Sequence, residues 1–429
     1  MPALRIARII ARLNVGGPAV QAILMTKEFQ ARGYEARLFA GEVPSDEQSA
    51  EYLAREHGVV VHRIGGLSRK ISWTRDLRSL LTLVRLLRSY RPDVVHTHTA
   101  KAGALGRVAA LITGVPVRIH TFHGHVFDGY FSSPVARAFV WIERVLARFT
   151  DRIVAVSELQ KRDLVYKYKI ASAEKVVCVP LGFDIAGYLS LRTSPDGGFR
   201  SELGFGKEHF LVAWVGRLTE IKNPLAFIDM AAIVSRQCPN TRFVMVGDGN
   251  LRSDVAGAIR AQGLSDRVRL YGICRDPLRV YADIDLLTLT SRNEGTPLAM
   301  LEAMASGRAI VASDVGGVRD LMSGEGIASE VGTHFDNGIV TPLDTKKLAD
   351  GVKFYADNPL TAKASGSAGR EWVRDRFSQY RLADDLEKLY AEVAVQKARF
   401  PIAINSDPDV QRAASETARR MGPKSSRAS

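Results

Sequence analysis

Cysteine is scarce in this chain. Its 429 residues include three, at positions 178, 238 and 274, an odd number at wide spacing. Such a set forms neither a disulfide framework nor a metal-ligand pattern, and it fits a reducing, cytoplasmic setting. Long apolar runs are missing too. No stretch reaches the roughly 18 apolar residues that a membrane-spanning helix needs. The apolar N-terminus is interrupted by Arg5, Arg8 and Arg12, so a secretory signal peptide is not expected. Acidic residues fall short of basic ones, 46 against 59, leaving a formal net charge of +13. A basic surface suits polyanions, acidic lipids or phosphate-bearing substrates. No helix-turn-helix, zinc or RNA-binding motif accompanies the charge, so a nucleic-acid partner is not expected. The Gly-x-Gly-x-x-Gly fingerprint is also missing, which argues against a nicotinamide dehydrogenase.

What is present is alternation. Short apolar runs at Ile6–Leu13, Ala36–Ala40, Asp93–Thr97, Val117–Phe122, Arg152–Val156 and Val176–Pro180 are separated by helical patterns. A second series follows at Leu211–Val215, Arg242–Val246, Val268–Tyr271, Leu286–Thr290, Ala309–Ser313 and Gly338–Val340. Strands alternating with helices imply parallel sheets with right-handed crossovers. The fold class is therefore α/β, two Rossmann-like domains facing across a cleft. Ligands of such sheets bind outside the strand carboxyl ends, here in the cleft. The expected division is an N-terminal domain over 1–192, a linker around Ser194–Gly198, and a C-terminal domain over 200–375. Trp372–Val393 reads as helical, and residues 397–429 have the composition of a disordered basic tail.

One segment carries the most chemistry. Ser291–Met304 reads Ser-Arg-Asn-Glu-Gly-Thr-Pro-Leu-Ala-Met-Leu-Glu-Ala-Met and follows a buried strand. Thr296 is the expected N-cap and Pro297 the first helical residue. The free amides and dipole of that helix start favour a phosphate. Glu294 lies level with this anion site and Glu302 further along the helix. Arg217, at the end of Val215-Gly216-Arg217, and Lys222 are candidate phosphate cations. Gly16 and Gly17, after the first strand, allow a backbone to approach a diphosphate closely. Gly247-Asp248-Gly249 and Gly316-Gly317 read as turns with scope for a backbone role. His123, just past a strand end, can hydrogen-bond a sugar hydroxyl or a phosphate, with His125 a neighbour outside that role. His96 and His98 read mainly as structural histidines. Asp283-Ile284-Asp285 has the form of a metal motif but abuts an apolar strand, so a structural role is expected.

The segment from Asn293 to Gly307, with Ile310–Gly317, resembles the signature of family 4 retaining glycosyltransferases, nucleotide-sugar enzymes of the GT-B architecture. Gly16-Gly17-Pro18, Asp93–His98, Thr121–Gly124, Ile153–Ser157, Val215–Arg217 through Asn223, and Val246–Gly249 agree in order. The likeness spans roughly residues 5–395. Thr97–Gly103 further resembles the branch that builds capsular and exopolysaccharide repeat units. The resemblance implies that Glu302 holds the ribose hydroxyls of the nucleotide and that His123 contacts the donor sugar. It implies that Glu294 positions the sugar and stabilises developing charge without acting as nucleophile. Gly295, Thr296, Pro297 and Leu298 would line the donor site with Gly16, Gly17, Arg217 and Lys222. Residues 376–396 would cross back to the first domain. The expected activity is metal-independent transfer from a nucleotide diphosphate-sugar, a UDP-sugar foremost, to a saccharide or lipid-linked saccharide. A nucleotide-sugar 2-epimerase and a non-catalytic nucleotide-sugar-binding protein share the architecture and remain alternatives. Arg75–Arg91, which carries Arg78, Arg85 and Arg88, and Ser133–Arg148 are the expected contacts to the anionic inner face of a membrane. Plain amphipathic helices packed on a sheet would look alike.

Overall fold

Fourteen of the strand residues Arg5–Ile10, Glu35–Ala40 and Val94–His98 are buried, Arg8 among them, because helices cover both faces of the sheet they form. The computed structural model describes residues 4–14, 16–44, 49–68, 72–124, 133–191 and 198–397. In the first sheet β1 (Arg5–Ile10), β2 (Glu35–Ala40), β3 (Val61–Arg63), β4 (Val94–His98), β5 (Val117–Phe122), β6 (Arg152–Ala155) and β7 (Val176–Cys178) follow in chain order. Their spatial order is β3-β2-β1-β4-β5-β6-β7, parallel throughout. In the second, β8 (Phe210–Val215), β9 (Thr241–Val246), β10 (Val268–Gly272), β11 (Leu286–Leu289), β12 (Ala309–Ser313), β13 (Ile327–Ala328), β14 (Thr333–Phe335) and β15 (Gly338–Thr341) order as β10-β9-β8-β11-β12-β15-β14-β13. The pairs up to β12·β15 are parallel, while β14 and β13 join antiparallel at the edge.

The order reverses between β1 and β4 in one sheet and between β8 and β11 in the other. Loops beyond these strands splay apart and leave a crevice at the carboxyl ends. At these two crevices lie Ile10 to Asn14, Gly16 to Gly17 and His98 to Thr99 on one side, and Val215 to Lys222 and Thr290 to Leu298 on the other.

Three expected elements differ. β1 leaves the ladder at Ile10, short of Leu13. The helical pattern expected over Trp372–Val393 is two helices, Pro359–Arg374 and Gln379–Gln396. The break falls where Ser378 accepts from the Arg381 amide at 3.1 Å and so caps a new helix. Gly198, read as linker, opens the short helix Gly198–Glu202. Residues 194–197, His125 and the tail beyond Lys397 lie outside the described residues. Lys397 itself ends the last helix, with its ammonium 2.6 Å from Asp151.

The last helix packs on the first sheet, not the second. Leu382, Leu386, Leu389, Tyr390 and Val393 share a core with Ile6, Phe29, Val94 and Val117. Each such fully buried aliphatic side chain is worth about 1.5–3 kcal/mol relative to exposure. Arg32 adds ion pairs to Asp384 and Glu387 at 2.6 and 2.8 Å.

Candidate active site

At the carboxyl end of β11 the chain turns through Ser291–Pro297 into the helix Leu298–Ala305. Thr296 is not its cap, as the sequence suggested. Pro297 holds that position in extended backbone, and the Thr296 hydroxyl donates across the cleft to the Val156 carbonyl at 3.2 Å. Proline at the cap leaves the amides of Leu298 and Ala299 without intrahelical acceptors, as in any first turn. They point into the crevice with the positive end of the helix dipole.

Glu294 lies in this turn with its carboxylate nearly covered, 7% exposed. Lys222 Nζ donates to Oε1 and Oε2 at 2.6 and 2.7 Å, and Ser291 Oγ donates to Oε1 at 2.6 Å. Two residues expected to have separate duties are thus bound to each other. Lys222 comes from the 3-10 turn Glu220–Lys222 beyond β8, across the β8/β11 switch. Behind Glu294, Gly316 takes a left-handed conformation, φ 53°, where a Cβ would collide with the Glu294 carbonyl. The Gly317 amide donates to that carbonyl at 3.1 Å. Gly316-Gly317 therefore buttresses the backbone of Glu294.

Glu302 sits at the start of the second turn of the helix. Tyr188 donates to its Oε1 at 3.1 Å and Tyr281 to its Oε2 at 2.8 Å. Burial pushes its carboxyl up to about 7, and the tyrosine bonds work against that rise. An ionised carboxylate has about four acceptor positions, so two stay available beyond the tyrosines. Neither tyrosine carried a sequence signal, since contact to Glu302 depends on folding across 114 and 21 residues.

Arg217 is exposed and its guanidinium has no hydrogen-bond or ion-pair partner among the described residues. It is the free cation of the pair predicted, Lys222 being the engaged one. Gly16 and Gly17 start the helix Gly17–Ala31 facing the same crevice, and a Cβ on either would meet nothing within 4 Å. There is room above them for a ligand. The Asp283-Ile284-Asp285 run lies at the opposite end of β11 and is consumed structurally. Asp283 accepts from the Phe199 and Arg200 amides at 2.8 and 3.2 Å, and Asp285 pairs with Arg200 at 2.5 Å.

The first domain meets this site through the ends of β5 and β6. A Cβ on Gly295 would stand 2.5 Å from the His123 carbonyl, so only glycine lets the two loops touch. The Leu159 amide donates to Asp320 at 3.1 Å. His123 Nε2 lies 3.0 Å from His98 Nδ1, and burial, then the charge of Arg8, holds the His123 imidazole down at about 3.

Two family models match this chain. The one described as Glycosyltransferase Family 4 matches residues 15–186, and the one described as Glycosyl transferases group 1 matches residues 209–358. The chain is a family 4 glycosyltransferase. It is 29% identical over 334 residues to the Escherichia coli UDP-Gal:alpha-D-GlcNAc-diphosphoundecaprenol alpha-1,3-galactosyltransferase, covering 77% of this chain and 83% of the relative. It is 23% identical to the capsular polysaccharide biosynthesis glycosyltransferase CapM of Staphylococcus aureus, over 76% and 83% of the two chains. The crystal structure of Anabaena HepE in complex with UDP and glucose superposes with a TM-score of 0.75 at 22% identity, covering 91% of this chain and all of HepE. Sucrose-phosphate synthase from Thermosynechococcus elongatus gives 0.74, also at 22% identity, covering 92% of this chain and all of the synthase. These structures support the GT-B architecture of the transferase, two Rossmann-like domains.

Proposed function

We propose that this transferase moves a hexosyl or N-acetylhexosaminyl group from a UDP-sugar to a lipid-linked saccharide, with retention at the anomeric carbon and without a metal, in the synthesis of cell-surface polysaccharide. The reading is carried by the cluster at the end of β11, where cation, carboxylates and helix amides converge. Glu302 takes the ribose hydroxyls. The amides of Leu298 and Ala299, the Gly16-Gly17 turn, Arg217 and Lys222 receive the diphosphate. Glu294 and His123 face the sugar from the two domains. As the anomeric bond to phosphate breaks, charge grows on the departing diphosphate and on the sugar ring. The cations and helix amides stabilise the first, and Glu294 the second. The acceptor hydroxyl attacks from the side the diphosphate leaves, and the departing phosphate oxygen takes its proton. The galactosyltransferase relative, named for a diphosphoundecaprenol acceptor, supports a lipid-linked acceptor here.

The membrane contact is part of this proposal. The helix Trp73–Tyr90 buries Leu83, Val84 and Leu87 against the sheet, as an amphipathic packing helix does. It also exposes Trp73, Leu77 and Leu81, 90%, 58% and 48% accessible, at i, i+4 and i+8. Arg78, Arg85 and Arg88 are exposed on the same helix. Trp141 and Ile142 are exposed on Ser133–Arg148, on the same side of the sheet. Apolar tips among arginines suit an anionic bilayer surface, at about 1 kcal/mol per charge. A cytoplasmic chain resting on the inner membrane face follows.

The test is transfer from radiolabelled UDP-sugars to a polyprenyl-diphosphate saccharide with excess EDTA, and NMR of the new linkage. An α-linked product from an α-linked donor, formed in EDTA, is expected. An inverted linkage, or activity lost to EDTA and restored by manganese, overturns the corresponding part of the reading.

A further inference from the structure

Arg8 stands in the middle of β1 with its side chain wholly buried, and no carboxylate pairs with it among the described residues. A buried guanidinium with no counter-ion is costly, so its contacts invite a reason. Its Nη2 donates to His98 Nε2 at 3.0 Å and its Nη1 to the Tyr390 hydroxyl at 3.2 Å. Arginine carries only donors, so each contact fixes the direction of the hydrogen bonds beyond it. His98 Nε2 must be bare, which leaves the hydrogen on Nδ1 and directs it to His123 Nε2 at 3.0 Å. His123 Nε2 is then the acceptor, and its hydrogen lies on Nδ1. That atom is buried and has no partner among the described residues.

The second branch runs the other way. Tyr390, having accepted from Arg8, donates to His96 Nδ1 at 2.6 Å, and His96 Nε2 donates to Thr121 Oγ1 at 2.6 Å. His96 and His98 are two residues apart, stacked at 4.5 Å, and hold opposite tautomers. One arginine sets both.

We propose that Arg8 is a positioning residue for the transfer reaction: acting through His98, it locks His123 in the Nδ1–H tautomer, so that His123 presents a hydrogen-bond donor to the donor sugar. The proposal rests on the reading of His123 as the sugar contact. Charge works in the same direction. The groups acting on His123 and its partner are Arg8, His96, His98 and His120, all cations when charged, and with burial they hold these imidazoles well below their ordinary value. His123 therefore stays a neutral donor and does not become an imidazolium beside a sugar acquiring positive charge.

The test uses the full chain labelled with nitrogen-15 in histidine. Long-range proton–nitrogen correlation of the wild type is expected to show Nδ1–H for His98 and His123 and Nε2–H for His96. Arg8→Met should scramble the first two, and Arg8→Lys, which keeps donor and charge, should preserve them. Arg8→Met should also lower kcat about 10-fold, the scale of one hydrogen bond, with UDP affinity unchanged. Losing the Arg8 charge should also raise the pH at which His123 takes up a proton, with burial still holding it below an ordinary imidazole. His98→Gln supplies a second handle should Arg8→Met fail to fold. Its amide oxygen keeps an acceptor for Arg8 at the place of Nε2, but the side chain has no N–H at the place of Nδ1 to donate to His123, so it should lower kcat similarly and leave His96 as it was. A His98 tautomer that ignores Arg8→Met, with a His123 tautomer that ignores both Arg8→Met and His98→Gln, would sink the relay. Tautomers that shift with no change in kcat would leave the relay in place, but would remove His123 from the sugar site and the proposal with it.

Discussion

The two crevices that face each other across the cleft solve the problem of charge in opposite ways. Beneath the first crevice a cation, Arg8, lies buried in mid-strand with no carboxylate partner among the described residues, beside imidazoles held neutral. At the end of the second sheet the charges come compensated, Glu294 against Lys222 and Glu302 against two tyrosine hydroxyls. The first crevice presents donors whose directions are set in advance and need not change when a ligand arrives. In the second, partners must be shared, because a diphosphate competes with Glu294 for Lys222 and ribose hydroxyls join the tyrosines on Glu302. Changes in the second crevice should therefore move charge-dependent quantities, rate and pH dependence, more than changes in the first.

Glu294→Gln gives the sharpest contrast. Its turnover should fall by about 10² or more, the scale of one lost preorganised electrostatic group. UDP affinity by calorimetry should stay level or tighten slightly, since Lys222 is released towards phosphate. A rate loss smaller than that of Arg8→Met would invert the ranking of the two crevices. A large loss of UDP affinity would mean that Glu294 serves the nucleotide and not the sugar.

Glu302 gives the next effect. With its carboxyl held up at about 7, the empty site is only partly ionised at neutral pH. Ribose hydroxyls donate to the ionised form, so donor affinity should rise as pH climbs from about 6 to 8. A UDP-sugar is the ligand to use, because free UDP has a phosphate ionisation near pH 6 that would confuse the profile. Glu302→Ala should weaken binding about 10- to 150-fold above neutrality, as expected for charged hydrogen bonds worth roughly 1.5–3 kcal/mol, and should flatten the pH dependence. Equal affinity across the range in the wild type would show that the ribose does not engage this carboxylate.

Much of the second crevice was legible in the sequence, and little of the first. Buried parallel strands write themselves as short apolar runs, so both sheets could be read, and Ser291–Met304 carries a motif in consecutive residues. The short strands β3, β13 and β14 could not be read, because Val61-His62-Arg63, Ile327-Ala328 and Thr333-His334-Phe335 are part-exposed and lack a period. Thr296 was misread as a cap because its hydroxyl serves a carbonyl 140 residues away. The Lys222–Glu294 pair spans 72 residues, so the sequence offered two roles and not their contact. Arg8 looked like an interruption of an apolar N-terminus. Its meaning needs His98 from β4 and Tyr390, 382 residues further on. A polar network in a core leaves no periodicity, only odd residues in apolar places.

The smallest expected effect concerns stability, and it tests whether the second crevice keeps its compensated charge at a cost. Glu302 has a carboxyl pushed up from an ordinary 4.5 to about 7 by burial. Between those values the folded state binds more protons than the unfolded chain, so stability falls as pH rises through this window and stays low above about 7. A shift of this size corresponds to about 3 kcal/mol, at 1.36 kcal/mol per unit. Glu302→Gln removes the ionisation while keeping both tyrosine contacts, its carbonyl accepting from one hydroxyl and its amide donating to the other. The variant should melt about 6–12 °C higher than the wild type at pH 8, at about 2–4 °C per kcal/mol. The advantage should shrink through pH 6 and vanish near pH 4, where the wild-type carboxyl is protonated in both states. Thermal melts of both proteins across that range decide it. A gain independent of pH would trace to packing and not to the buried charge. A loss at pH 8 would mean that the tyrosine hydroxyls stabilise the ionised carboxylate by more than its burial costs.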